Sequence, residues 1–173
     1  TGYVEVMPGQ SIRYDFSGIA NNSTTSLTSF YWRDTLPTQA IRLDKIITGT
    51  YNVNGSYKVV YQTNLSGGTW RTMYDNLLTR QNYTLDASPA ALGLASNEYV
   101  TAFMVSFGVV PANFRQVEAP QVYCTVVSQL ASGTQFTNQA DVGGVYDGQW
   151  IMATSRWVTR VYKPSQPLPR TGY

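Results

Sequence analysis

No window of a dozen residues in this chain carries the apolar stripe at i, i+3, i+4 and i+7, with caps, that an amphipathic helix requires. Strand-length segments of period two are abundant instead. In Ser11-Ile12-Arg13-Tyr14-Asp15-Phe16, the side chains of Ile12, Tyr14 and Phe16 share one face while Arg13 and Asp15 take the other. Leu27 to Thr35 reads as a second strand that stops at Leu36-Pro37, because proline cannot donate to a ladder. Ile41 to Ile46 alternates and runs on toward Tyr51, and Asn54-Gly55 between Tyr51-Asn52-Val53 and Tyr57 to Tyr61 predicts a tight hairpin.

Further strands are expected over Thr69 to Met73, Gln81 to Leu85, Tyr99 to Phe107, Gln121 to Val127, Thr134 to Val142, Trp150 to Thr154 and Trp157 to Tyr162. Ala87 to Ala95 is the one segment that suits a helical turn. About ten short strands joined by turn residues, with no crossover helices, predict an all-β fold. The expected architecture is an antiparallel two-sheet β-sandwich of immunoglobulin-like or related Greek-key topology. Lys163-Pro164-Ser165-Gln166-Pro167-Leu168-Pro169 holds three prolines in seven residues and cannot pair in a sheet. The sandwich domain is therefore expected over 1–162, with a Pro-rich linker over 163–173.

Composition narrows the chemistry. The chain has 173 residues, no histidine and one cysteine, and its 12 Lys+Arg against 10 Asp+Glu leave a net charge of +2. A chain of this length buries enough surface to fold without a disulfide or metal staple. The lack of imidazole removes Ser-His-Asp and Cys-His catalysis and histidine metal sites. No basic run offers a footprint for nucleic acid or anionic lipid. Cys124, on the same strand face as Val122 and Val126, is expected to be a buried structural thiol. Asp141 and Asp147 among Gly143, Gly144 and Gly148 match no calcium-loop spacing and read as a solvated turn. No cofactor or metal is expected, and the poor acid/base inventory argues against an enzyme.

The tail ends in Leu168-Pro169-Arg170-Thr171-Gly172, which resembles the sorting signal of Gram-positive cell-wall proteins, Leu-Pro-any-Thr-Gly. In that family a sortase attacks the threonine carbonyl, expels glycine and joins the threonine to an amine of the peptidoglycan precursor. The proline pre-orders the peptide for a groove, and glycine leaves the scissile carbonyl accessible. Family members continue into an apolar span and a basic tail, whereas this sequence stops at Tyr173. Trp32-Arg33-Asp34-Thr35-Leu36-Pro37, preceded by Ser11 to Tyr14 and the polar loop at Asn21-Asn22, resembles bacterial surface repeat domains with an Asp-Thr-Leu-Pro signature. Phe136-Thr137-Asn138-Gln139-Ala140-Asp141-Val142 is similar to their last strands. The resemblance implies an immunoglobulin- or prealbumin-like stalk or adhesin module. It would be extracellular and covalently anchored to the cell wall, with sortase and the precursor as partners and no catalysis.

Two further constellations stand out. Domains of this kind sometimes hold a Lys–Asn isopeptide bond, whose chemistry needs a desolvated amine beside a buried acid. Lys45 and Asn138 are the candidate pair, with Asp15, Asp34 or Glu118 as helper, against a plain polar-face position for Lys45. Trp32, Trp70, Trp150 and Trp157, with thirteen tyrosines, exceed what one core requires. They are candidates for stacking on a host glycan or protein ligand, against simple cross-strand packing.

Overall fold

The computed structural model describes residues 3–164, so the sorting motif Leu168 to Gly172 lies outside the described residues. Two sheets face each other in a sandwich-like arrangement. The larger is built from β1 (Tyr3–Val6), β3 (Leu27–Thr35), β5 (Ser56–Thr63), β6 (Arg71–Leu78), β8 (Val100–Val110), β10 (Gln135–Tyr146) and β11 (Gln149–Val161). Its order is β1-β11-β10-β3-β8-β5-β6. The smaller holds β2 (Ser11–Asp15), β4 (Ile41–Ile47), β7 (Thr84–Asp86) and β9 (Gln121–Val126) in the order β2-β9-β4-β7. The chain changes sheet at most connections, which is why no local motif reports the whole topology.

One pairing departs from the antiparallel expectation. β1 runs parallel to β11, with Tyr3 opposite Val158 and Val6 opposite Val161, so the larger sheet is mixed. An edge strand at the start of the chain can take this position because a long excursion through the rest of the fold separates it from its partner. The expected hairpin at Asn54-Gly55 does not form. Tyr51 makes only an isolated bridge to Gln116, and the segment after it carries the chain from β4 in one sheet to β5 in the other. The physical reason is burial: Tyr51 is fully inside, its hydroxyl donating to Thr48 O at 2.9 Å and accepting from Trp32 Nε1 at 3.0 Å.

The expected helical turn is present as α1 (Pro89–Leu92). The Ser88 side chain caps it by accepting from Ala91 N, and Gly93 at φ 64 ends it in the left-handed region. The core between the sheets is aromatic. Trp32 meets Phe16 at 5.1 Å and Phe103 at 5.5 Å, and Phe114 lies within 5.5 Å of Tyr51, Phe30 and Phe107. Cys124 is a free, fully buried thiol, and burial pushes its pKa well up, with Asp34 and Asp44 adding to the effect.

Candidate functional site: an aromatic groove on the larger sheet

Alternation in β3 sends Phe30, Trp32 and Asp34 into the core and leaves Ser29, Tyr31 and Arg33 on the outer face of the larger sheet. There they meet Met104 and Ser106 of β8, Trp150 of β11, and Trp70, which immediately precedes β6. Together these seven residues line a groove of about 330 Å³. Trp150 is 66% exposed and stands edge-on to Tyr31, with ring centroids 6.2 Å apart. Trp70 and Tyr31 are half-buried.

Local backbone irregularity shapes the groove. Ladder register shifts in β3 between Leu27 and Tyr31, and in β10 between Gly143 and Val145. Ser29, within the first shift, holds φ at 50°, a left-handed conformation that costs a serine energy. Bulges of this kind re-aim side chains and recur beside functional sites. Gly143 lies under Tyr31: a Cβ there would come within 2.5 Å of Ile151 O and 2.9 Å of Tyr31 Oη. Only glycine lets the phenol ring lie across the strand.

Beside the aromatics runs a polar network. Arg33 Nη2 and Nε donate to Asp141 Oδ2 at 2.7 and 3.3 Å, and Thr154 Oγ1 donates to Asp141 Oδ1 at 2.7 Å. Burial works to raise the Asp141 carboxyl, but the bonds from Arg33 and Thr154 outweigh it and hold it below the usual carboxylate range. Asp141 is thus a paired strand residue rather than part of a solvated turn. The Arg33→Ala variant leaves a carboxylate that is 1% exposed without its cation. It is expected to lose about 2 kcal/mol in urea denaturation. An unchanged midpoint would show that solvent already carries this charge.

The four tryptophans fall into different settings. Trp32 is fully buried, and Trp157 is partly buried against Phe16 at 5.1 Å and Tyr14 at 6.0 Å. Only Trp70 and Trp150 reach the groove. Tyr31 and Arg33 were legible as the outward positions of β3, whereas nothing local to Trp70 marks it as a neighbour of Trp150.

The candidate isopeptide pair is not brought together. Asn138 is fully buried and its Nδ2 donates to Asp34 Oδ2 at 3.0 Å, so amide and acid do meet. Lys45 instead points outward, with its ammonium 4.5 Å from the centre of the Tyr123 ring. A bulge between Leu43 and Lys45 keeps Leu43 and Ile46 inside and turns the lysine to solvent. The other lysines, Lys58 and Lys163, are exposed as well. Of the candidate helpers, Asp15 is exposed and pairs with Arg13 at 2.9 Å, and Glu118 is exposed and accepts from Asn82. Asp34 alone is buried at the amide. Asp34 Oδ1, Asn138 Oδ1 and Tyr14 Oη are all left without a hydrogen-bond partner. Burial, with a smaller contribution from the charge of Asp141, raises the Asp34 pKa to about 7 against the opposing bond from Asn138. A proton on Asp34 turns its unpaired Oδ1 from an orphaned acceptor into a donor.

No family model matches the chain, and no curated protein matches it. Among solved structures, that of AvmM, which catalyses macrocyclisation in alchivemycin A biosynthesis, is similar at 8% identity and a TM-score of 0.35, covering 98% of this chain and 88% of that one.

Proposed function

We propose that the chain is a non-catalytic surface module of a Gram-positive cell-wall protein, an immunoglobulin-like stalk or adhesin domain whose tail is a sortase substrate. The observation that carries this reading is Leu168-Pro169-Arg170-Thr171-Gly172, placed after a Pro-rich stretch that follows the last strand, β11. The Asp-Thr-Leu-Pro segment at Asp34 to Pro37 supports it. A non-catalytic role is supported by the lack of histidine and by a cysteine thiol that burial keeps protonated. The partners are then sortase and the peptidoglycan precursor, and the location is extracellular and wall-anchored.

The test uses the full chain, a purified sortase and triglycine as the amine. The peptide bond between Thr171 and Gly172 is expected to break, with the threonine acyl group transferred to triglycine and Gly172-Tyr173 released as a dipeptide. Intact mass reads both changes, and Thr171→Ala is expected to stop the reaction. A wild-type mass that stays constant under conditions where a control Leu-Pro-any-Thr-Gly peptide reacts would remove the anchoring claim.

A further inference from the structure

We propose that the outer-face groove is a carbohydrate site that stacks a pyranose ring of a neutral glycan on Trp150, with Tyr31 beside it and Trp70 lining the same groove. This goes beyond the anchoring reading and gives the adhesin role its ligand class. Three observations converge on the groove. The first is aromatic exposure: Trp150 is 66% exposed, while the tryptophan two strands away, Trp32, is fully buried. A large indole on the outer face of a sheet gains nothing from the core and offers aromatic surface to the C–H face of a sugar. The second is backbone strain: Ser29 at φ 50°, three ladder register shifts and a sterically required Gly143 all meet here. Strain of this kind persists where surrounding structure over-determines it. The third is size. A groove of about 330 Å³ lies at the small end of ligand sites, suited to one ring rather than to a protein interface.

The polar groups set the chemistry of the ligand. Ser29 and Ser106 offer hydroxyls that both donate and accept, which matches sugar hydroxyls. The one charged lining residue, Arg33, is neutralised by Asp141 at 2.7 Å, so it does not select for an acidic sugar. Met152 Sδ, 3.9 Å from Arg33 Nη2, further crowds that cation. Lys58, opposite Ser106 in the ladder, is an exposed rim cation that water and salt screen. Arg156 lies six residues along β11 from Trp150, about 20 Å away on an extended strand. The groove therefore favours a neutral ring.

The experiment applies the full chain to an array of neutral hexose and N-acetylhexosamine oligosaccharides, with sialylated and sulfated glycans beside them. Binding is expected on neutral glycans, with quenching or a blue shift of tryptophan emission in solution. Trp150→Ala and Trp70→Ala are each expected to weaken it at least tenfold. Lys58→Ala and Tyr162→Ala, the second an exposed aromatic outside the groove, are expected to leave it unchanged. Circular dichroism of each variant separates lost binding from lost fold, and Trp150 is exposed enough that its removal leaves the domain intact. No neutral glycan bound, a preference for acidic glycans that Lys58→Ala abolishes, or full binding by a folded Trp150→Ala would each overturn the proposal. The sortase reaction reads a different part of the chain, so failure here with transpeptidation intact removes the groove assignment and leaves the anchoring, and the reverse holds equally.

Discussion

Raising the pH from about 4 to about 8 is expected to cost the folded domain about 4 kcal/mol through Asp34 alone. The carboxyl is completely buried, and its pKa rises from the ordinary 3.8 to about 7 in the folded state. A raised folded-state pKa means that the native protein holds its proton more tightly than the unfolded chain does. The resulting stability is fully present below the unfolded value and is lost as pH climbs through the folded one. Asp141 is shifted downward, so its contribution is lost only in acid, on the other side of the window. The thiol of Cys124 and the phenols of Tyr14 and Tyr57 are shifted upward and act only in alkali. With no histidine in the chain, no imidazole titrates between them. Urea denaturation at a series of pH values reads the slope directly.

The Asp34→Asn variant sharpens the test. An amide at position 34 cannot ionise, and its oxygen keeps the bond from Asn138 Nδ2. Its stability is expected to be flat across the window and to exceed the wild type at pH about 8 by about 3 kcal/mol. A wild-type stability that does not change with pH would show that Asp34 is stabilised as an anion by something other than Asn138. An Asp34→Asn protein that is weaker at pH 8 would show the same.

Alternation made most of the core legible, because a strand with one wet face records its orientation in every second residue. β2 and β9 came out with their inward sets correct: Tyr14 on one, Val122, Cys124 and Val126 on the other. Lys45 takes the outward, polar-face position that stood as the plain alternative to the isopeptide pair, although a bulge between Leu43 and Lys45 interrupts the strict period there. Dipeptide signals cut both ways. Asn54-Gly55 looked like a hairpin but sits in a crossover held down by Tyr51. Asp147-Gly148, with φ of 48° and 74°, makes the actual tight turn between β10 and β11. That Asp-Gly was available in the sequence and would have joined Gln135 to Val161 into one long hairpin. The parallel β1–β11 pair and the joint lining of one groove by Trp70 and Trp150 had no local signal, since both depend on how distant segments pack. The groove was therefore half readable: Tyr31 and Arg33 from β3 alternation, its far wall only from the fold.

The same substitution at two tryptophans is expected to give opposite results. Trp32→Ala empties the centre of the sandwich, where the indole is fully buried against Phe16 and Phe103 and its Nε1 donates to Tyr51 Oη. Removing a buried indole leaves a cavity that neighbouring rings cannot fill, at a cost of about 4 kcal/mol. That is a large share of the stability of a domain this size. Tyr51 keeps its bond to Thr48 O, so the loss is one of packing more than of polar pairing. Trp150→Ala removes a side chain that rests edge-on against Tyr31 and otherwise faces water. Its stability is expected to stay within about 0.5 kcal/mol of the wild type. Urea midpoints for the pair separate residues that build the sandwich from residues the sandwich displays. A Trp150→Ala variant as unstable as Trp32→Ala would mean that the outer indole is structural. The groove would then be a by-product of packing rather than a surface held open for a ligand.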